Sequence, residues 1–165
     1  NTFWQSLNTK ERNGYIWAKD IYNEEGAVGD WDKPYQQIFY ANVVYEALNK
    51  FSDADKNAEW HELYGTALFI RSYAFHNLAQ VFSPPYDSSM SADEDLRGIP
   101  LRIKSDITEP ITRATVKATY DQVFKDLNEA VRHLPAALPL TYRNRPSRPA
   151  AYALLAGRCL SKRFY

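Results

Sequence analysis

Residues 57–81 read NAEWHELYGTALFIRSYAFHNLAQV, and the fold turns on this stretch. Trp60, Leu63, Tyr64, Ala67, Ile70, Ala74, Phe75, Leu78 and Val81 recur at spacings of three and four, the period of a helix and not of a strand. The apolar stripe is broad, which predicts a central helix covered on more than one side. Gly65, Ala67, Ser72 and Ala74 keep part of its surface small, so that a neighbouring helix can approach closely. Pro84 and Pro85 stop it, because proline has no amide hydrogen to continue the ladder. Just upstream, Ser52, Asp53 and Asp55 compete for the backbone and are the expected caps.

Working outward, Tyr35, Ile38, Ala41, Tyr45 and Leu48 mark a preceding helix. Its expected N-cap is Asp30 or Asp32, with Pro34 in the first turn, where a missing amide hydrogen costs nothing, and it should end near Phe51. Further upstream, residues 1–29 are irregular and aromatic, with Gly14, Gly26 and Gly29 interrupting any long helical period. Downstream, the loop from Ser83 to Gly98 carries Tyr86 and the acidic run Asp93, Glu94, Asp95, a length uncommon in a compact domain. It leads into a short extended piece at Ile99, Pro100, Leu101 and Ile103.

Thr115 then caps a third helix, Val116 to Leu134, with Val116, Tyr120, Val123, Leu127, Ala130, Val131 and Leu134 on one face and Pro135 as its stop. After a proline-rich link to Pro146, Ser147 caps a fourth helix with Pro149 in its first turn. Ala150, Ala153, Leu154, Gly157 and Leu160 form its narrow face. That helix reads as still running at Tyr165, with neither glycine nor proline beyond it. The expectation is a single all-α domain over 1–165, cut from a longer protein at both ends: an aromatic segment at 1–29, then repeat helices at 30–165.

Three helices share one rhythm. Tyr35, Ile38, Ala41, Leu48 can be laid beside Tyr64, Ala67, Ile70, Leu78 and beside Tyr120, Val123, Leu127, Leu134. The leading tyrosines stand 29 and 56 residues apart, against a tandem tetratricopeptide period of about 34. Any antiparallel bundle could show this rhythm, and so could tetratricopeptide helix pairs separated by long insertions.

Composition narrows the function. Twenty basic residues balance twenty acidic ones, so no overall field draws the chain to nucleic acid, and the knot Arg143, Arg145, Arg148 is too small to change that. One cysteine, Cys159, can make neither an internal disulfide nor a cysteine metal cluster, and beside Leu160 it reads as inert core. No apolar run approaches the roughly 20 residues of a membrane span. His61, His76 and His133 lack the paired spacing of a zinc site. Asp93, Glu94 and Asp95 lack the alternating spacing and glycine of a calcium loop. There is no phosphate-cradling glycine loop and no nucleophile elbow. No cofactor, metal or catalytic residue is expected, and the chain reads as a binding protein.

Buried polar residues on the apolar stripes point to architecture. Asn42 lies on the core side of its helix, where an unpaired amide costs about 1–3 kcal/mol, and a neighbouring backbone is its expected partner. Arg71 lies in a similar setting and needs a carboxylate, with Asp126 or Asp121 of the third helix as the choices and Arg71–Asp126 as the expected pair.

Four segments, in order, resemble the SusD/RagB family. WDKPYQQIFYANVVYEAL is similar to a family helix through Trp31, Tyr35, Ile38, Ala41 and Asn42. GTALFIRSYAFHNLAQVFS is similar to another through Gly65, Ala67, Phe69 and Arg71. GIPL followed by RATVKATYDQVFKDLNEAVRHLP, and then RPSRPAAYALLAGRCL, complete the series. Thr66, Ser72 and the Ser83-Pro84 pair depart from the pattern at positions of local packing. The resemblance implies tetratricopeptide-like helix pairs with long loops and a surface-exposed outer-membrane lipoprotein whose lipid anchor lies outside this chain. It also implies capture of a glycan or other nutrient and delivery to a SusC-like TonB-dependent transporter. The ligand platform it implies lies in the aromatic segment ahead of the first repeat helix, at Trp4, Asn8, Tyr15, Trp17 and Tyr22, with Gln5 and Asn13 as further hydroxyl partners. Trp31 matches a helix position and is expected to be structural, like Asn42, Arg71 and Asp126. The main rival is a helical scaffold that binds a protein or peptide without sugar affinity; a weaker one is an accessory domain of a glycoside hydrolase.

Overall fold

The computed structural model describes residues 2–22, 28–86, 96–137 and 142–161, with side chains at 3–22 and up to 157 in the last stretch. Gly26, the acidic run Asp93, Glu94, Asp95, the side chains of Cys159 and Leu160, and Tyr165 lie outside the described residues. The chain forms two compact units, Asn1–Lys33 and Pro34–Tyr165.

In the first unit, helices α1 (Thr2–Ser6) and α2 (Thr9–Tyr15) are short, but the expected glycine breaks do not set their ends: no glycine separates them, and Gly14 lies inside α2. A reciprocal pair fixes the start of α2. Asn8 Oδ1 accepts from the Glu11 amide and the Glu11 carboxylate accepts from the Asn8 amide, both at 2.8 Å.

Helix α3 (Gly29–Leu48) begins earlier than expected. The Trp31 and Asp32 amides both donate to the Val28 carbonyl at 2.8 Å, so neither Asp30 nor Asp32 is the cap. Both carboxylates sit instead in the first turn, where the positive helix end favours them. Pro34 therefore falls beyond the first turn, with no amide hydrogen to offer four residues back. α3 ends at Leu48, three residues before Phe51, and the Trp60 indole donates to the Leu48 carbonyl at 3.0 Å, satisfying a group the helix end would leave unpaired.

Ser52, Asp53 and Asp55 do not cap the next helix. They close a 3-10 turn, Asp53–Asp55, with the Ser52 hydroxyl on the Asp55 carboxylate. The cap of α4 (Ala58–Phe82) is Asn57, whose side chain accepts from the Trp60 amide at 2.9 Å. Of the expected stripe of α4, Trp60, Ala67, Ala74, Phe75 and Leu78 are buried, while Leu63, Ile70 and Val81 are exposed and Leu68, Arg71, Ser72 and Ala79 are buried in addition. Positions 68, 71, 75 and 78 hold the steadier three-to-four spacing along a straight helix contact, and size alone could not rank Leu63 below Leu68.

Two short strands follow, β1 (Arg97–Pro100) and β2 (Arg113–Thr115), antiparallel with Arg97 opposite Thr115 and Pro100 opposite Arg113. Only the first was foreseen as extended; β2 is three residues long and gives no alternating pattern. The fold remains all-α, with this ribbon as its only sheet among the described residues. Thr115 ends β2 and caps α5 (Val116–His133) through its hydroxyl to the Ala118 amide at 3.1 Å.

α5 runs antiparallel to α4, as cross-helix pairs show: Gly65 against Leu134, Arg71 against Asp126, Ser72 against Val123. A Cβ on Gly65 would stand 2.9 Å from the Leu134 amide nitrogen, so glycine is what permits this approach. The Ser72 hydroxyl donates to the Val123 carbonyl at 3.0 Å, which explains a serine on the small face. Gly98 of β1 is tighter: a Cβ would lie 2.4 Å from Thr119 Oγ1. Finally, α6 (Arg148–Ser161) starts from a buried Ser147, whose carbonyl accepts from the Ala151 amide at 3.1 Å. Its packed residue is Ala151, whereas Ala153 and Gly157 are exposed, so the expected small-residue face is shifted.

Candidate functional site

The first unit collects aromatic rings on short elements with none of its described residues buried. Trp4 and Tyr15 meet edge to face at 5.7 Å, and the Arg12 guanidinium lies 5.8 Å from the Trp4 ring while donating to the Trp4 and Gln5 carbonyls. That cation ties α2 to α1 and keeps Trp4 half-buried. Lys10 sits over the Tyr22 ring at 4.5 Å.

Trp17 differs from the others. It is 92% exposed and has a φ of 53°, the one non-glycine residue in the left-handed region among those described. The hydrogen bonds show why: the Trp17 amide donates to the Gly14 carbonyl and the Ala18 amide to the Asn13 carbonyl, the paired closure of a helix end at which glycine is the usual residue. A side chain there costs about 1–2 kcal/mol. Trp17 bears this cost while contributing almost nothing to burial, which makes it the conformational outlier of the described residues.

The polar residues expected to meet hydroxyl groups are partly committed. Asn8 Oδ1 is held in the α2 cap, leaving its amide nitrogen, and Asn13 Nδ2 donates to the Asp20 and Ile21 carbonyls at 3.3 Å. Phe3, 70% exposed, was not singled out from the sequence, which gives a lone phenylalanine on a five-residue helix no distinguishing period.

The second unit holds a buried polar network. Arg71 Nε and Nη2 donate to the two oxygens of Asp126, each at 2.7 Å. Arg71 Nη1 donates to Asn42 Oδ1 at 2.9 Å, and Asn42 Nδ2 donates to the Arg102 and Lys104 carbonyls. Gln122 donates to Asp126 Oδ1 at 2.8 Å. Each buried side-chain nitrogen and oxygen of this network has a hydrogen-bond partner, which is the condition under which such a pair is tolerable inside a protein. Asp121 is the partner of Lys117 on the surface. Trp31 is partly buried on α3.

Beside the network a cleft of about 280 Å³ is lined by Tyr45, Tyr64, Gln122, Lys125 and Glu129. Burial, with a hydrogen bond to Tyr45, pushes the Tyr64 hydroxyl above the ordinary phenol range. At its edge His61 and His133, distant in sequence, come together with Nδ1 atoms 2.8 Å apart. They are therefore not isolated: the Gly65 approach that joins α4 to α5 makes the pair, and no local spacing signals it. Among the described residues no three metal-binding side chains converge, and no helix is long and apolar enough to cross a membrane.

The helical array, with a short aromatic segment ahead of it in the chain, is an all-α architecture of SusD-like type. Residues 1–160 match the SusD-like family described as starch-binding and associating with the outer membrane, and the chain belongs to that family. It is similar to a SusD superfamily protein of Bacteroides thetaiotaomicron at 26% identity and a TM-score of 0.66, over 80% of this chain and 28% of that one. It is also similar to a SusD superfamily protein of Bacteroides vulgatus at 22% identity and a TM-score of 0.75, over 95% and 34%. A laminarin binding SusD-like protein shares the fold at 24% identity and a TM-score of 0.62, over 81% and 26%. The chain thus spans between a quarter and about a third of the solved relatives' length. No curated protein matches it.

Proposed function

We propose that the chain is the helical part of a non-catalytic protein that captures oligosaccharide at the cell surface and passes it to a SusC-like TonB-dependent transporter in the outer membrane. The observation that carries the reading is Trp17, exposed on left-handed backbone two residues after Tyr15, whose ring meets that of Trp4. A flat apolar ring held clear of the protein suits the C–H face of a pyranose, and neighbouring amide groups suit its hydroxyls. The starch-binding description of the family supports the same class of ligand. The protein would be tethered by a lipid outside this chain.

A protein partner is favoured by a separate observation. Phe39, Tyr40, Val43 and Val44 of α3 leave a run of apolar side chains exposed on the second unit, the composition of a contact surface. This face is the one we assign to the transporter.

The test is affinity electrophoresis and calorimetry of the full-length protein against a panel of polysaccharides, wild type beside Trp17→Ala. Binding to one glycan class, weakened tenfold or more by the substitution, is expected. Binding that Trp17→Ala leaves unchanged would remove Trp17 from the site. Tight transporter binding with no sugar response at all would establish the scaffold instead.

A further inference from the structure

We infer that the cleft between α3, α4 and α5 is a second saccharide site, one that takes a single neutral sugar ring by hydrogen bonds and uses no residue of the aromatic segment. It rests on the glycan reading above only for the class of ligand. The groups that line the cleft carry the rest.

Helix α5 turns Gln122, Lys125, Asp126 and Glu129 to the cleft, at spacings of three and four along one face. Asp126 is already occupied by Arg71 and Gln122. The other three keep unused hydrogen-bonding capacity. Lys125 is exposed and makes no hydrogen bond or ion pair among the described residues. Gln122 donates to Asp126, which leaves its carbonyl oxygen free to accept. Glu129 accepts from Arg132 on one oxygen and from His133 on the other, and a carboxylate has about four lone-pair sites, so each oxygen can accept again. Across from them the Tyr45 and Tyr64 hydroxyls bond to each other, which uses one of their hydrogens and leaves the other to donate.

The charged lining groups balance, Arg71 and Lys125 against Asp126 and Glu129. An ion of either sign would therefore meet a like charge. A neutral ligand that both donates and accepts finds donors in Lys125 and the tyrosine pair and acceptors in Gln122 and Glu129, and the hydroxyl groups of a sugar have this double character. Leu68 and Ile103 supply apolar contact for its C–H groups. The tyrosines do not form a stacking platform, because the Arg71 guanidinium stands over Tyr45 at 4.9 Å and Trp60 is stacked on Tyr64 at 4.6 Å. Recognition here runs through hydroxyl groups, unlike at Trp17. At about 280 Å³ the cleft falls just below the range of about 300–1,000 Å³ usual for ligand pockets, room for one ring and not for a chain. That ring is a free monosaccharide or the end unit of a glycan, which present the same hydroxyls.

For a hexose of about 12 heavy atoms, affinity on the order of 1 mM is expected. The test titrates the full-length protein with glucose, galactose and mannose, then with maltose and lactose, and follows the Gln122 side-chain amide by NMR. A saturable shift with at least one of them is expected; response to monosaccharides alone would identify free sugar, and equal response to a disaccharide an end unit. Lys125→Ala, at an exposed side chain, should weaken binding tenfold or more, while Lys117→Ala, about two turns earlier on the same helix, should leave it unchanged. Removing the hydroxyls of the bound hexose one at a time should cost at least one deoxy analogue tenfold, since the group facing it is left unpaired. No saturable shift from any of these sugars, a shift that Lys125→Ala leaves intact, or deoxy analogues that all bind like the parent would each overturn the site. Hexose binding in a protein whose polysaccharide binding ignores Trp17→Ala would keep this site and sink the role of Trp17; polysaccharide binding with no hexose response would do the reverse.

Discussion

The two units of this chain solve opposite problems. The second hides its polar groups: Arg71, Asp126 and Asn42 are almost fully buried and meet one another with charge-assisted hydrogen bonds. The first displays its apolar groups, with Trp17, Tyr15 and Phe3 exposed on elements too short to form a core. Burial of polar atoms and exposure of rings both run against the usual partition of side chains. In the second unit the exception is satisfied internally, which marks architecture. In the first the rings stay exposed, the surface to which the proposed ligand role is assigned.

The largest effect that would break this contrast is at the buried pair. Asp126→Ala should cost about 3–5 kcal/mol, because it strands a buried guanidinium. A urea midpoint unchanged by the substitution would mean that the network contributes nothing. The double change Arg71→Met with Asp126→Leu should cost far less, since it removes both charges together.

Next comes close packing. Gly98→Ala must force a Cβ to 2.4 Å from Thr119 Oγ1 and 2.8 Å from the Thr115 carbonyl oxygen, and should cost about 1–3 kcal/mol by thermal unfolding. Gly157→Ala, with nothing within 4 Å of its Cβ, should be neutral or stabilise by up to about 1 kcal/mol through helix propensity.

The exposed unit predicts the reverse sign. Trp17→Gly relieves left-handed strain, so local stability should rise by about 1 kcal/mol, read as slower hydrogen exchange at the Ala18 amide. Sugar binding by the full-length protein should fall in the same variant. Faster exchange would contradict the strain, and unchanged binding would contradict the ligand role.

The smallest effect is a pH dependence at the α3 edge. The Ser105 hydroxyl and then the Ser105 amide hold the Glu46 carboxyl below its ordinary value of 4.5. A depressed carboxyl stabilises the fold above the unfolded value and loses that contribution as pH falls through the folded one. Acid titration of the unfolding midpoint below pH 4.5 should therefore be shallower in Glu46→Gln than in the wild type. Identical acid limbs would remove Glu46 from the account.

Much of the helical frame was legible because periodicity, caps and stops are local. The spacing from Trp60 to Leu78, Thr115 before Val116, and the prolines after Phe82 each act within one turn. The family-like segments were legible for the same reason, being short ordered motifs. What failed was also local in cause: Pro34 looked like a first-turn residue because nothing in the string shows that the helix has already begun at Gly29.

The sequence by itself determined the helices, the lack of any net charge to draw polyanions, and the need of Arg71 and Asn42 for partners, since each follows from side-chain chemistry acting over a few residues. Only the tertiary structure decided that Leu63, Ile70 and Val81 of α4 are left exposed while Leu68 is buried, that β2 pairs with β1, that Trp17 stands clear of the surface on left-handed backbone, and that His61 meets His133. Those outcomes depend on how elements tens of residues apart close on one another, and the close approach at Gly65 and Gly98 sets that closure in the helical unit.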